Sequence, residues 1–235
     1  MIPIDRNLLK EFALFAKMGA GELDNILSGV TSRLLGRDEV VFKQGDPARS
    51  FYILLHGRLK VSQVTVDGQQ VIVRIINPGD LFGIAKALSR DSYPATAKTV
   101  SESLILYWPT ILWDQFMQDH PALSANAMQA VGTRLQEAHT RIREMATENV
   151  EQRVAHTILR LVRQSGKRVE HGVHIDFPIT RKDIAEMSGT TLHTVSRILS
   201  AWESAELVQG GRKKLLVREP HRLLLLADGV IEGRV

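Results

Sequence analysis

His193, Ser196, Arg197 and Ser200 stand at i, i+3, i+4 and i+7, so a helix through them gathers their polar groups on one face. Val195, Ile198, Leu199 and Trp202 fall on the other. The chemistry open to the polar face is base reading in a DNA groove. An arginine reaches guanine O6 and N7 with two hydrogen bonds, a histidine can donate to a purine N7, and hydroxyls serve either kind of base edge. Arg197 is the strongest base-reading candidate, with His193, Ser196 and Ser200 beside it.

The stretch that must position this face runs FPITRKDIAEMSGTTLHTVSRILSAW, from Phe177 to Trp202. Thr180 begins a T-x-x-D pattern that caps a helix through Met187. Ala185 is small where two helices cross, and Gly189 supplies the turn. Their joint spacing predicts a helix-turn-helix. The hydroxyls of Thr180, Thr191 and Thr194, with Arg181 and Lys182, suit phosphate contacts that set position without reading sequence. Downstream, Leu207-Val208 and Leu215–Val217 flank Gln209-Gly210-Gly211-Arg212, a hairpin or wing that puts Arg212, Lys213 and Lys214 near phosphates. A helix over Val150–Gln164 and a strand over Val173–Phe177 precede the motif.

Charge agrees with that placement. Residues 1–150 carry 16 basic and 16 acidic side chains, whereas residues 151–235 carry 14 and 10, so the whole net charge of +4 lies in the C-terminal part. A basic excess suits a polyanion, although ordinary surface charge produces such an excess too.

Pro121 opens a long helical segment in which Met128, Val131, Leu135, Ala138, Ile142, Met145 and Asn149 alternate in steps of three and four. Arg134, Glu137, Arg141 and Glu144 lie beside this heptad seam. The seam predicts a parallel two-helix contact and hence a homodimer, since a helix packed only on its own domain needs a wider apolar stripe.

Ahead of it, Asn7–Val30 reads as two short helices broken at Gly19–Gly21. From Ser32 to Trp108 the signal changes to β-type runs, EVVF, SFYILL, RLKVSQVTV, QQVIVRII and SLILYW, with turn glycines at 45, 57, 68 and 79. That pattern predicts a small antiparallel sandwich or barrel. A metal-dependent barrel enzyme needs several converging histidines and carboxylates, and this stretch holds the single histidine His56. No Ser-His-Asp arrangement or phosphate-gripping lysine loop is present either, so the barrel reads as a binding module and not as an enzyme. The absence of cysteine excludes thiolate metal sites and iron–sulfur clusters. No apolar run reaches the roughly 18 residues of a membrane span, and Met1–Phe12 lacks a signal-peptide pattern, which points to a cytoplasmic protein without membrane contact. Ile231-Glu232-Gly233-Arg234 matches an engineered protease-cleavage sequence and residues 231–235 are set apart as a tail.

FKQGDPARSFYILLHGRLKV, followed by GQQVIVRIINPGDLFG, resembles the cyclic-nucleotide-binding barrel of the CRP/FNR family of bacterial transcription regulators. The resemblance runs from about Leu23 to Leu226 and implies an α+β chain in three parts. These are an antiparallel β-barrel of the jelly-roll type over 1–119, a dimerisation helix over 120–149 and a winged helix-turn-helix over 150–230. It implies tight barrel turns at Gly45, Gly57, Gly68, Gly79 and Gly83, double-stranded DNA as partner, and RNA polymerase as a further one. It also implies an effector pocket from Gly83, Ile84, Ala85, Pro94, Ala95 and Thr96, closed by Ala138 and His139 of the long helix. Those last two are placed by counting back from Val150-Glu151-Gln152-Arg153, which resembles the family's hinge.

The departures set the expectation for the ligand. A cyclic-AMP-binding member carries a glutamate for the ribose and an arginine for the phosphate where this chain has Ile84 and Pro94, and two hydroxyls where it has Ala138 and His139. Cyclic AMP held in the usual way is therefore not expected. Tyr93-Pro94-Ala95-Thr96-Ala97 instead resembles the nitric-oxide-responsive NnrR/Dnr-type members, which sense nitric oxide or low oxygen. The cofactor stays unidentified, with haem left open and His139 as its candidate axial ligand. The family's recognition helix commonly bears a glutamate where His193 stands, so the base preference should differ there. The other reading of the residues is a small-ligand sensor whose C-terminal domain contacts protein and not DNA.

Overall fold

The computed structural model describes residues 6–231; the part of the expected tail from Glu232 onward lies outside them. The chain forms two compact units, one of residues 6–68 and 73–138, the other of residues 69–72 and 139–231.

In the first unit, α1 (Arg6–Lys10), a 3-10 turn at Ala13–Phe15 and α2 (Ala20–Ser28) lead into eight strands. They are β1 (Thr31–Leu35), β2 (Val40–Phe42), β3 (Ser50–His56), β4 (Leu59–Val64), β5 (Gln70–Ile76), β6 (Leu81–Phe82), β7 (Thr96–Thr99) and β8 (Ser103–Pro109). Two four-stranded sheets result, ordered β1-β8-β3-β6 and β2-β7-β4-β5, so the expected barrel is a two-sheet jelly roll and not a closed cylinder. Three of its strands escape a search for apolar runs. β6 is two residues long, β1 begins with Thr-Ser-Arg, and β7 (TAKT) is mostly polar.

Period-2 alternation explains how one sheet serves two cores. Along β3 and β8, Phe51, Ile53, Leu55, Leu104, Leu106 and Trp108 face the helices. Between them Leu54 and Ile105, with Leu35 of β1, face the second sheet, where Phe42, Leu59, Ile76 and Ala97 meet them. The helix side is completed by α3 (Leu112–Asp119), through Trp113 and Phe116, and by the start of α4 (Pro121–Thr147), through Leu123 and Ala127. Trp108 is 1% exposed and donates its indole N–H to the Ile26 carbonyl at 2.7 Å, pinning α2 to β8. Burying a side chain of that class contributes about 2–3 kcal/mol. The five turn glycines, Gly45, Gly57, Gly68, Gly79 and Gly83, all have positive φ. At Gly57 a Cβ would lie 2.3 Å from the Glu102 carbonyl oxygen, so glycine is required there for space as well as for backbone angle.

α4 departs from the expected seam in three respects. Val131 packs inward on the helix-side core with Leu123 and Ala127. Asn149 is not in α4: it caps α5 (Val150–Ser165), accepting from the Gln152 N–H at 3.0 Å while Gln152 Oε1 accepts from the Asn149 N–H at 3.0 Å. Arg134 and Glu144, expected on the flanks, turn inward to buried partners described below. Met128, Leu135, Ile142 and Met145 remain 72%, 57%, 66% and 54% exposed, with Ala138 exposed beside them.

The second unit contains the end of α4 and α5, which passes directly into β9 (Gly166–Val169), a strand of exposed residues with no apolar signal. β10 (Gly172–Ile175), α6 (Arg181–Ser188), α7 (Leu192–Ser204), β11 (Val208–Gly211), β12 (Lys214–Val217) and α8 (Pro220–Ala227) follow. The four strands pair in the order β11-β12-β10-β9. α5 buries Val154, Ile158 and Leu161. No helix among the described residues is long and apolar enough to cross a membrane.

Candidate nucleic-acid interface

α6 begins where Thr180 can cap it. The Thr180 hydroxyl accepts from the Asp183 N–H at 3.0 Å and donates to Asp183 Oδ2 at 2.5 Å, and the same carboxylate accepts the Thr180 N–H at 3.0 Å. α6 ends at Gly189, whose φ of +64° is the left-handed cap that glycine adopts without penalty. Two residues on, Thr191 caps α7, accepting from the Thr194 N–H at 3.1 Å, and the two hydroxyls lie 2.9 Å apart. Thr180 and Thr191 therefore engage their side chains in capping the starts of the two helices, with Thr194 bonded to the second cap.

The apolar side of α7 is fully engaged: Val195, Ile198, Leu199 and Trp202 are each 2% exposed or less. Trp202 also donates its indole N–H to Glu151 Oε1 at 2.9 Å, which fixes α7 to the start of α5. With that side locked, His193, Arg197 and Ser200 are turned to solvent and Ser196 is half-buried. No described residue bonds to the side chain of His193 or Arg197. The four candidate base-reading residues thus share one outward face, and the two with the longest reach are unengaged.

The cations around them divide. Arg181 is held internally, donating to both carboxylate oxygens of Glu203 at 3.0 and 3.2 Å and to the Ser196 carbonyl at 3.4 Å. It is not extended to meet a phosphate, and Glu203 was not legible as its partner because the two lie 22 residues apart. Lys182 is 72% exposed, with Glu186 one turn away at 3.7 Å. In the wing, Gly211 pairs with Lys214 across a two-residue turn made by Arg212 and Lys213, and all three cations are exposed. The Lys213 carbonyl accepts the Ile179 N–H at 3.2 Å, so the wing tip is tied beside the first residue of α6. One further side chain belongs to this surface: Leu192, the first residue of α7, is 50% exposed although it is apolar.

Residues of the second unit also link the end of α4 to the helix-turn-helix. Glu144, 5% exposed, accepts from Arg160 Nη1 at 2.7 and 2.6 Å, and Arg160 Nη2 donates to the Thr157 hydroxyl at 3.0 Å. Arg153 donates to the Glu148 carbonyl at 3.0 Å and to the Ser188 carbonyl, at the end of α6, at 3.2 Å.

The residues expected to form an effector pocket do not share one environment. Ile84 packs into the helix-side core, whereas Ala85 belongs to the core between the sheets, together with Tyr93 and Ala97, which are not among the expected pocket residues. Beside Gly83 that inter-sheet space is filled by rings. Phe42 stacks on Tyr93 at 3.9 Å, Tyr52 on Phe82 at 5.1 Å, and a Cβ on Gly83 would lie 2.6 Å from the Tyr52 ring. Burial, then the hydrogen bond with Tyr93, pushes the Tyr52 hydroxyl well above the usual phenol range. Pro94 and the buried Ala95 lead into β7 at Thr96, and the Pro94 carbonyl and Thr96 hydroxyl accept from the Gln63 side chain and the Gln44 N–H at 3.0 and 2.9 Å. His139 is exposed on α4, as is Ala138.

A charged group expected beside the heptad seam is buried against the jelly roll instead. Arg134 of α4 donates to the Leu81 carbonyl and has its Nε buried without a hydrogen-bond partner. Burial, then the neighbouring Arg74 guanidinium, pushes its pKa down to about 10, against the opposing pull of Asp80 and Glu137. Arg74 is itself paired with Asp80 at 2.8 Å.

Residues 32–120 match the family described as the cyclic nucleotide-binding domain, and residues 152–226 match the Crp-like helix-turn-helix domain. The chain is 28% identical over 222 residues to the cyclic AMP receptor protein of Thermus thermophilus, across 94% of this chain and 100% of that one. It is 27% identical over 212 residues to the global nitrogen regulator of a Synechocystis species, across 88% of this chain and 91% of the relative. Among solved structures, FixK2 from Bradyrhizobium japonicum superposes with a TM-score of 0.73 at 23% identity, covering 84% of this chain and 96% of that one. A mutant of CooA from Carboxydothermus hydrogenoformans gives 0.73 at 20% identity, covering 95% and 97%. At these identities the two structures establish the shared fold. The likenesses do not carry the narrower resemblance to the nitric-oxide-responsive type.

Proposed function

A chain that joins a cyclic nucleotide-binding domain to a Crp-like helix-turn-helix belongs to the CRP/FNR family of DNA-binding transcription regulators, and from that premise we propose that it binds a palindromic promoter site as a homodimer. The observation that carries the reading is the outward face of α7, where His193 and Arg197 are unengaged while the residues behind them are buried. Arg197 reads a guanine, His193 reads the neighbouring purine, and Lys182, Arg212, Lys213 and Lys214 supply phosphate contacts. Two copies related by a two-fold axis would read half-sites one turn, about 34 Å, apart.

Footprinting on duplexes selected from a random pool tests this. Two protected half-sites at that spacing are expected, and Arg197→Ala should lose about 10- to 100-fold of specific affinity, the weight of one bidentate contact. Binding that ignored Arg197→Ala, or protection without two-fold symmetry, would sink the proposal. A C-terminal domain that contacts protein would show no steep fall in duplex affinity with salt.

The signal is proposed to act where residues 121–138 of α4 lie against the jelly roll, shifting the balance between DNA-competent and incompetent dimers by binding them unequally. Several relatives are named for cyclic AMP, but Ile84 and Pro94 offer that ligand neither a ribose acceptor nor a phosphate partner. Haem with nitric oxide or oxygen as signal remains the candidate chemistry; His139, exposed between Leu135 and Ile142 on α4, is the side chain that would ligate the iron and leave a site for the gas. An absorption spectrum during anaerobic haem titration should then show a histidine-ligated haem that His139→Ala abolishes. The same spectrum with and without His139 would end that proposal. Activation of transcription through RNA polymerase, in the cytoplasm, is the family's usual outcome and is proposed for this chain on that ground.

A further inference from the structure

Arg181 differs from the other cations of this interface. Lys182 is 72% exposed, the side chain of Arg197 bonds to no described residue, and Arg212, Lys213 and Lys214 are exposed in the wing. Arg181 donates from Nη2 to both carboxylate oxygens of Glu203, at 3.0 and 3.2 Å, and from Nη1 to the Ser196 carbonyl and the Ser200 hydroxyl, at 3.4 Å each. Ser196, Ser200 and Glu203 follow at i, i+4 and i+7, so the guanidinium lies along one flank of α7, beside the face that carries His193 and Arg197.

Three elements meet at this pair. Arg181 is the first residue of α6, Glu203 stands in the last turn of α7, and Gly210 of β11 packs against the carboxylate, where a Cβ would lie 2.2 Å from Glu203 Oε1. The backbone at Gly210 stays out of the left-handed region, so what glycine supplies there is room for the carboxylate. The two side chains are 38% and 31% exposed, and an ion pair this open to solvent contributes little to stability. Its larger consequence is for binding. A free guanidinium that meets a phosphate adds a full contact to the salt dependence of DNA affinity, whereas one already neutralised by a carboxylate adds none.

We propose that Glu203 is a positioning residue that acts through Arg181: it holds the guanidinium along α7 and withholds its charge from DNA phosphates. The interface then makes one ion contact fewer per recognition domain than its basic side chains would provide, and a larger share of its affinity falls to the outward face of α7. The proposal rests on α7 being the DNA-facing helix.

The test is the affinity of the full chain for a random duplex, and for a duplex selected from a random pool, measured across salt concentrations. Glu203→Gln keeps the shape of the side chain and removes its charge. The slope of log affinity against log salt should steepen by about 0.9 for each recognition domain bound, so that a dimer loses about 12-fold more affinity than wild type between about 50 and 200 mM salt. A phosphate contact carries no sequence information, so both duplexes should show the change equally. Arg181→Met combined with Glu203→Gln should return the slope to the wild-type value. A pair that only fastened α6 to α7 would lower the melting temperature of Glu203→Gln and leave the slope where it was. An unchanged slope for Glu203→Gln overturns the inference and leaves the regulator reading standing. So does, whatever the fold of the single variant, a double variant whose slope falls below wild type, since Arg181 would then reach phosphate with Glu203 in place. A wild-type chain that binds neither duplex overturns both.

Discussion

At the scale of single residues, the chain places one charge where packing alone would not. Arg134 sits with its Nε buried and unpaired, beside a second guanidinium, and its pKa falls to about 10. The folded value lies below the ordinary one, so the unfolded chain holds this proton more tightly. The group therefore opposes folding at every pH at which it is charged in both states, and the penalty is relieved only as pH rises above about 10. Arg134→Met, which keeps the stem and removes the charge, should raise stability in urea by about 1–4 kcal/mol at pH 7. An unchanged or lowered denaturation midpoint would show that Leu81 and Asp80 already compensate the charge. This residue also marks what the sequence conceals. Heptad spacing reads Arg134 as a flank position, because periodicity fixes angle around a helix axis and not what stands opposite. The recognition face is the reverse case. His193, Arg197 and Ser200 point outward because Val195, Ile198, Leu199 and Trp202 are all apolar, and that contrast is visible in the letters alone. Arg181 stays hidden until the fold brings Glu203 to it from 22 positions away.

At the scale of elements, the strongly patterned ones are legible and the others are not. α4, α6, α7 and the β11–β12 wing follow from periodicity, caps and turn residues, whereas β6 and β9 form because their neighbours offer open hydrogen-bonding edges. The joint between α4 and α5 belongs to the second group. Asn149 falls on the heptad count but ends the helix, since its side chain caps α5. What replaces the seam at this point is the pair of Glu144 and Arg160, with side chains 6% and 17% exposed. Such a pair is costly to break and not costly to replace whole, because the loss of one partner strands a buried charge. Glu144→Ala should therefore destabilise the chain by about 3–5 kcal/mol, while Glu144→Leu combined with Arg160→Met should recover most of it. Thermal melts of the two singles and the double measure the coupling. If the double variant is as unstable as the worse single, the pair does more than neutralise itself and holds the α4–α5 joint through Thr157 as well.

At the scale of the whole molecule, the question is what covers α4. Met128, Leu135, Ile142 and Met145 expose more apolar surface than an isolated helix face in water usually carries, and Gly132 lies among them with nothing within 4 Å of a Cβ built on it. A glycine in mid-helix costs about 1 kcal/mol relative to alanine, and no contact among the described residues requires it. A second α4 approaching at this face would use both features, the side chains as knobs and the glycine as the place of closest approach. Val131 helps by facing the jelly roll, since it leaves the outward stripe narrow, as a two-helix seam needs and a globular face does not. Leu135→Asp places a carboxylate in the middle of that stripe and, across a two-fold axis, opposite its own copy. The residue is exposed in the single chain, so the fold should survive, with an unchanged circular dichroism spectrum. Sedimentation should then show a dimer for wild type and a monomer for the variant, and affinity for a palindromic duplex should fall at least 100-fold, because the two α7 helices would no longer act through one complex. A single half-site should be bound equally by both proteins, which separates loss of pairing from damage to the recognition face. A Leu135→Asp variant that sediments with wild type would place the dimer seam elsewhere.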